Sequence, residues 1–510
     1  MQLKRSLALA AALTVAGALA LTGCSASDSS TAAKTTLNLA INAPPASLDF
    51  TELDAGTDPI LNTSIYDRLI VMDPNGGLHP GAAESWSYNA DKTVLTMKLR
   101  SGMKFSNGNA VNAAAVKATI DRQIAFPSNR NSNQFLQITS VAAPNATTAV
   151  FTLARPNPDL LTNLARTAGV IGDPSNFTAK DIKSNPIGSG AYVLDTSRTV
   201  NGSKYVLKKN TEYWDAKSFK FSTVNVTVIS DATANFNALK AGQLDVALLT
   251  SDQIPQAKGA GFAIAEFPTA EWGGLVIGDR DGKKIPALGD VRVRQAINMV
   301  FDRDAIVKGL NSGTGVATNQ MFQPGSEGDV KSLANEYPYD VKAAKKLMAD
   351  AGYASGFSVT MPSVAGYTTT YEPIVKQSLA AIGITVQFTT VPFTQIVGQI
   401  ADGTYPLYYW PLGWGSMAAN LNSSVRPNAF FNGLQNETPE LNGYLTDVDN
   451  AKSASELNAA YQKVGTYMTK QAWYAPLFTI PFTYGYNSKV LTYEPNQIYL
   501  GDNIRSFIGK

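Results

Sequence analysis

GAAESWSYNADKTVLTMKLRSGMKFSNGNAVNAAAVKATIDR, residues Gly81 to Arg122, holds in one stretch the two patterns that alternate along the whole chain. Val94 to Leu99 puts an apolar residue at every second position, the period of a half-buried strand, and Gly102 beyond it marks a turn. Asn112 then stands where a helix N-cap accepts from the first free N–H groups, ahead of a run from Ala113 to Arg122 whose alanines have high helix propensity. Working outward, the same pair recurs. Thr36 to Ile41 alternates as an entering strand, stopped by Pro44 and Pro45. Val224 to Ile229 is another, followed by a helical run from Ala232 to Ala241 with Gly242 at its stop. Helical signals return from Asp290 to Lys308, from Val341 to Ala351 before Gly352, and from Tyr371 to Ile382 before Gly383, after which Ile384 to Phe388 reads as an apolar strand. Strands interleaved with helices predict an α/β, mixed α+β fold. No repeat of 20 to 50 residues is present, which excludes a solenoid or propeller. Tyr405 to Phe431 lacks a sustained period and reads as a long loop, rich in aromatics, Gly, Pro, Asn and Ser.

The N-terminal residues carry a second message. Lys4 and Arg5 precede an uncharged, Leu- and Ala-rich run from Leu7 to Leu21, the pattern of a secretory signal, here residues 1–23. The run is too short for a membrane span, which needs about 20 apolar residues. Leu21-Thr22-Gly23-Cys24 resembles the bacterial lipobox, which implies that Cys24 is lipidated and becomes the first residue after cleavage. A chance cysteine behind an ordinary signal is the alternative. Cys24 is the only cysteine, so no disulfide is expected. Ser25 to Thr36 is mostly Ser, Ala and Thr and reads as a tether, so 24–36 are assigned to the anchor and linker. Losing Lys4 and Arg5 brings the 42 basic residues level with the 40 acidic ones, a neutral balance that argues against a nucleic-acid partner. A chain of 510 residues exceeds what one core serves, so two or three bodies are expected.

Enzyme chemistry is poorly supplied. His79 is the single histidine and sits beside Pro80 in a turn-like segment, a poor basis for a nucleophilic triad. With one His and one Cys, a zinc-type site lacks ligands, and neither metal nor cofactor is expected. Ser101-Gly102-Met103-Lys104 has S-x-x-K spacing, but no K-T-G follows; no G-x-G-x-x-G occurs near Gly188 and Gly190.

Four separated blocks resemble the bacterial solute-binding family 5 of oligopeptide, dipeptide and nickel importers. They are Gly81 to Arg122; NPIGSGAYVL (Asn185 to Leu194) with KKNTEYWD (Lys208 to Asp215); LGDVRVRQAINMVFDRDAIV (Leu288 to Val307); and YDVKAAKKLMADAGY (Tyr339 to Tyr353). Most of these residues read as scaffold. Gly188 and Gly190 permit unusual backbone angles or close approach. Tyr213 and Trp214 offer apolar area for a core. Asp290 is placed to cap a helix near Val291, and Arg292 and Arg294 could pair with Asp302 or Asp304.

The resemblance implies the periplasmic-binding-protein type II-like fold: two lobes with a hinge plus an extra inserted domain. Lobe I would be discontinuous, 37–65 with 186–269 and 477–510; the insertion would be 66–185 and lobe II 270–476. It implies an ABC-importer binding protein that captures a peptide-like or other small polar solute and delivers it to permease and ATPase subunits. Such a chain is exported, held to the outer face of the cell membrane by lipid alone, monomeric, and not an enzyme. The alternatives are a lipid-anchored sensor or adhesion module, a carrier of oligosaccharide or metal chelate, and a cell-wall enzyme.

Tyr408, Tyr409, Trp410 and Trp414 cluster among Pro411, Gly413 and Gly415, and such rings either wall a pocket or fill a core. Trp414 sits at the Trp of the family's GW loop and leads the candidates for ligand contact, with Trp410 and Tyr409. Peptide-binding relatives carry an aspartate soon after this Trp for the ligand's α-amino group. Here the segment runs Gly415, Ser416, Met417, Ala418, Ala419, Asn420 with no acid before Glu437. A buried ammonium without a counter-charge costs several kcal/mol, roughly, which weakens the case for a free-amino peptide unless another lobe supplies the acid. Asn420 offers neutral hydrogen bonding instead. Trp272 and Tyr367, after predicted strand ends, complete the candidates, and Asn42 to Asp49 is expected to line the first-lobe side of the cleft.

Overall fold

Alternation decides the entering strand: in Thr36–Ile41, Leu37 and Leu39 turn inward and are buried while their neighbours stay partly open. The computed structural model describes residues 34–53, 59–72, 78–126, 132–135, 137–157, 159–413, 417–451, 453–494 and 504–510. The signal segment, Cys24 and Trp414 lie outside the described residues. No helix among those described is long and apolar enough to cross a membrane.

Thr36–Ile41 takes a central place in an eight-stranded mixed sheet. Their order across it is Leu407–Gly413, Ala263–Ile277, Tyr474–Tyr486, Val246–Leu248, Thr36–Ile41, Thr223–Val228, Lys204–Lys209 and Tyr192–Leu194. Thr36–Ile41 runs parallel to Thr223–Val228 and Val246–Leu248, and the remaining pairings are antiparallel. The two longest strands, Ala263–Ile277 and Tyr474–Tyr486, pair along nearly their full length, with a register shift between Phe267 and Glu271. On one side of that shift Ala265, Phe482 and Tyr484 join a core with Leu37, Phe50, Tyr192 and Val224. On the other, the same strands are covered on both faces, by Trp272, Val276, Trp410 and Tyr474 on one and Leu275, Tyr409 and Phe478 on the other. These two strands therefore take part in more than one hydrophobic core.

The Gly81 to Arg122 stretch builds a hydrophobic core of its own. Ala83–Tyr88, Val94–Leu99, Thr148–Leu153 and Ile138–Asn145 form a four-stranded antiparallel sheet in that order. Helix Ala113–Ala125 packs on it through Val116 and Ile120, and the Asn112 side chain accepts from Ala115 N at 2.9 Å as the cap. Gly102, Gly242, Gly352 and Gly383 all adopt positive φ, the left-handed conformation that ends helices and turns.

Four local expectations change. The helical signal from Asp290 to Lys308 is two helices, Val291–Met299 and Arg303–Gly309, because the Asp302 carboxylate caps Ala305 N at 3.0 Å and starts a new one. Asp290 does cap its helix, through Arg292 N. Arg292 pairs with Asp290, and Arg294 binds only carbonyls, those of Gln471, Arg280, Leu288 and Gly289, so neither meets Asp302 or Asp304. Within Tyr405 to Phe431, expected as loop, Leu407–Gly413 is a strand and Met417–Val425 is helical. The strand escaped the period-two test because Leu407, Tyr408, Tyr409 and Trp410 are all buried, so neither of its faces needs polar residues. Finally, Tyr213 and Trp214 are not plain apolar filler. Tyr213 Oη and Trp214 Nε1 donate to the buried Asp67 carboxylate at 3.1 and 2.7 Å.

Candidate functional site

Three strands, Phe357–Ser363, Ile384–Thr390 and Leu407–Gly413, bring one ring each to a common stack. Tyr367 follows the first, Phe393 opens the helix after the second, and Trp410 lies in the third. Tyr367 stacks on Phe393 at 4.5 Å between centroids and on Trp410 at 5.8 Å with the rings 5° from parallel. Tyr367 and Phe393 are partly exposed, whereas Trp410 is nearly buried. Flat apolar faces edged by N–H and O–H groups suit a polar organic ligand.

The other candidates divide between the two faces of the same sheet. Trp272 shares a face with Trp410 and packs edge-on against Tyr474 at 5.6 Å, fully inside the core. Tyr409 points to the opposite face, is buried, and stacks on Tyr371 at 5.0 Å. Asn420 is buried in the turn Met417–Asn420, its carbonyl accepting from Ser423 Oγ at 3.3 Å. The fold thus brings Trp410, Tyr367 and Trp272 into one cluster and sets Tyr409 on the reverse face.

One residue beside Tyr409 carried no local signal. Glu271 stands on the long strand opposite Gly413 and Ile480, and burial pushes its carboxyl up to about 7. In the Asn42 to Asp49 stretch, Asp49 is already committed. Burial alone would raise its carboxyl, but Arg122 grips it with two 2.6 Å bonds and Thr51 N donates to it, so it stays below the usual carboxylate range. Two open hollows, of about 270 Å³ around Asp181 and Asn201 and about 360 Å³ around Glu440 and Lys470, touch none of the site rings.

The four-stranded sheet is tied to the core that carries the rings through a charged contact. Arg155 Nη2 meets Asp449 Oδ2 at 2.7 Å, and Arg426 Nη2 meets Asp449 Oδ1 at 2.6 Å. Beside them Tyr461 Oη donates to Asp159 Oδ1 at 3.2 Å, while burial pushes the Asp159 carboxyl up to about 6. Sequence reading missed these residues because Arg155 and Asp449 are 294 positions apart and each looks locally like a solvated charge.

Comparison with known proteins places this geometry. Residues 77–433 match the bacterial extracellular solute-binding proteins, family 5 (middle region). The glutathione-binding protein GsiB of Pectobacterium atrosepticum is 25% identical over 450 residues, covering 84% of this chain and 86% of that one. The periplasmic binding protein DppA from Helicobacter pylori, solved with the peptide STSA, superposes with a TM-score of 0.85 at 21% identity over 94% of this chain and 98% of that one. AgaA from A. tumefacien R10, solved with agropinic acid, gives 0.84 at 22% identity over 93% and 98%. At such identities the structures establish the shared mixed α/β fold of periplasmic binding proteins. With the family matched over most of its length, this chain belongs to the bacterial extracellular solute-binding proteins, family 5, and is a binding protein, not an enzyme.

Proposed function

We propose that this chain captures a peptide-like or other small polar solute outside the cytoplasm, in a cleft edged by the Tyr367, Phe393 and Trp410 stack, and hands it to the permease and ATPase of an ABC importer. The observation that carries this is the pair of long strands common to two cores, with the ring stack built on Leu407–Gly413, the strand paired with one of them. Strands shared by two bodies can bend where their ladder is already broken, so the register shift between Phe267 and Glu271 is assigned as the hinge. The lobes are assigned as 37–65 with 186–269 and 477–510, and 270–476, with 66–185 inserted; the grouping of cores supports this division except at its edges, where Tyr66 and Val170 join the first core and Leu477 and Phe478 join a core of 270–476. Relatives are named for glutathione, a peptide and agropinic acid, and a solute of that small polar kind is the expected cargo here. Trp414, Trp410, Tyr409, Asn420, Trp272 and Tyr367 remain the assigned ligand-side residues, with Trp272 and Tyr409 acting as buried supports for the others.

A thermal-shift panel of short peptides, N-blocked peptides, oligosaccharides and metal chelates tests the reading, because a ligand held only by the folded chain raises Tm. At least one class is expected to raise it by several degrees at micromolar concentration; silence across the panel counts against capture. The protein is further proposed to be a monomer anchored by lipid on Cys24, since two acyl chains hold a membrane stably where one is marginal. Cys24→Ser should then release it into the medium, and continued membrane retention sinks the anchor.

A further inference from the structure

Lys34 and Thr35, just ahead of strand Thr36–Ile41, are pinned in three ways. Lys34 N donates to Lys510 O at 3.0 Å, the Lys34 ammonium meets Asp245 Oδ1 at 3.1 Å, and Thr35 O accepts from Ser222 N at 2.7 Å. Those bonds gather basic residues from three distant segments around one point. Lys217 and Lys220 arrive with Ser222, the Lys220 ammonium donating to Lys217 O at 2.7 Å. Lys489 and Lys510 come together because Lys510 Nζ donates to Ser488 O at 2.7 Å. Lys209 and Arg505 border Phe219, Lys209 Nζ donating to its carbonyl at 2.6 Å and Arg505 lying over its ring at 4.9 Å. Lys217, Lys220, Lys489 and Lys510 are exposed and enter no ion pair among the described residues. The acids beside them are taken, Asp245 by Lys34 and Asp215 by Arg505 at 3.0 Å, with Glu212 and Glu494 exposed at the margin. Cations therefore dominate this face, in a chain whose 42 basic and 40 acidic residues nearly cancel. The face also lies away from the rings. Strand Tyr474–Tyr486 runs from Tyr474, in the core of Trp410, to Tyr486, which pairs with Val246, and Asn487 N then donates to Asp245 O at 3.2 Å.

We propose that this face rests on an anionic lipid surface, with Lys217, Lys220, Lys489 and Lys510 meeting headgroup phosphates around the point where residues 24–33 lead back to Cys24. This rests on the lipid-anchor reading above and adds which side of the molecule meets the membrane. The ten residues 24–33 span at most about 36 Å fully extended, so a lipid on Cys24 holds this end of the molecule near the bilayer. Each basic side chain close to an anionic surface gains roughly fivefold in partitioning, and beyond about 8 Å at physiological salt the attraction is screened. The tether supplies a high local concentration, the basic face supplies orientation, and the ring stack is left turned away from lipid, open to arriving solute. By itself the face is too salt-sensitive to hold the chain, so release of Cys24→Ser into the medium is still expected.

The test uses residues 24–510 with Cys24→Ser, which carries no acyl chain and keeps every described residue. It is floated with vesicles of phosphatidylcholine, alone or with phosphatidylglycerol added. At about 50 mM salt, binding is expected to be roughly tenfold or more greater with phosphatidylglycerol, and to vanish near 0.5 M, where screening acts within a few Å. Lys220→Glu with Lys489→Glu should lower it about tenfold or more. Lys345→Glu with Lys376→Glu, exposed on helices Val341–Asp350 and Glu372–Ala380, should leave it unchanged. A native Tm in both double variants verifies that they fold. No preference for phosphatidylglycerol, or equal loss in the two double variants, overturns the proposal. Capture by immobilised polyglutamate without vesicle binding assigns an acidic protein partner instead and likewise overturns it. Because binding is read without acylation, these outcomes are separate from the fate of the anchor, which the release of Cys24→Ser from cells decides.

Discussion

Asp67 shows what a buried carboxylate is kept for. It accepts from Tyr213 Oη, Trp214 Nε1 and Arg68 N, and burial pushes it up to about 6 against those donors. Removing the acceptor strands a phenol and an indole N–H in the interior, so Asp67→Ala should cost about 3 kcal/mol in urea unfolding. The sign of the pH effect follows from the direction of the shift. With a folded-state value above the ordinary one, this group's stabilisation is complete in acid and is lost as pH rises through about 6. The deficit of Asp67→Ala should therefore be smaller at pH 8 than at pH 4; a deficit that grows with pH contradicts the assignment. The YW pair, read as apolar mass, is better understood as a pair of donors on a ring-lined wall, with Arg100 lying over Trp214 at 4.0 Å.

At the scale of elements, close backbone approach decides more than side-chain bulk. Gly190 N donates to Ile65 O at 2.9 Å, and a Cβ at Gly190 would stand 2.3 Å from Ser64 O. Helix Pro59–Ile65 therefore docks on the Asn185 to Leu194 block only because two glycines leave it room, Gly188 likewise meeting Ile65 O. Gly190→Ala should force the helix off this seat and destabilise the chain by about 2 kcal/mol or more, read as a lowered urea midpoint. An unchanged midpoint would show that the helix can shift at little cost. The aromatic strand Leu407–Gly413 obeys the same logic in reverse: buried on both faces, it is held by what packs on it and not by an alternating pattern.

Across the whole molecule, Asp449 links segments that belong to two different cores. It is gripped by Arg155 from one and Arg426 from the other, next to the Tyr461 to Asp159 bond. If this contact favours the shut cleft, weakening it taxes affinity through the fraction of closed molecules. Asp449→Asn is expected to weaken binding of whichever panel solute binds by about three- to tenfold, chiefly through faster release, with little change in the arrival rate. Calorimetry with stopped-flow kinetics decides it, and unchanged affinity would leave the contact a plain surface pair.

The chain's own order of residues was enough for the local elements and for the family. Asn112, Asp290 and the stop glycines act on backbone within a few positions, and the four blocks are contiguous, so neither needed a partner from afar. Where the rings and charges meet was a matter for the tertiary structure alone. Trp214 reaches Asp67 across 147 positions and Arg155 reaches Asp449 across 294, and nothing local distinguishes those acids from solvated ones. Glu271 is the clearest instance: an acid in a mostly apolar strand is set apart only when strand pairing puts it on the face of Gly273, Tyr409 and Phe478 and takes it out of water.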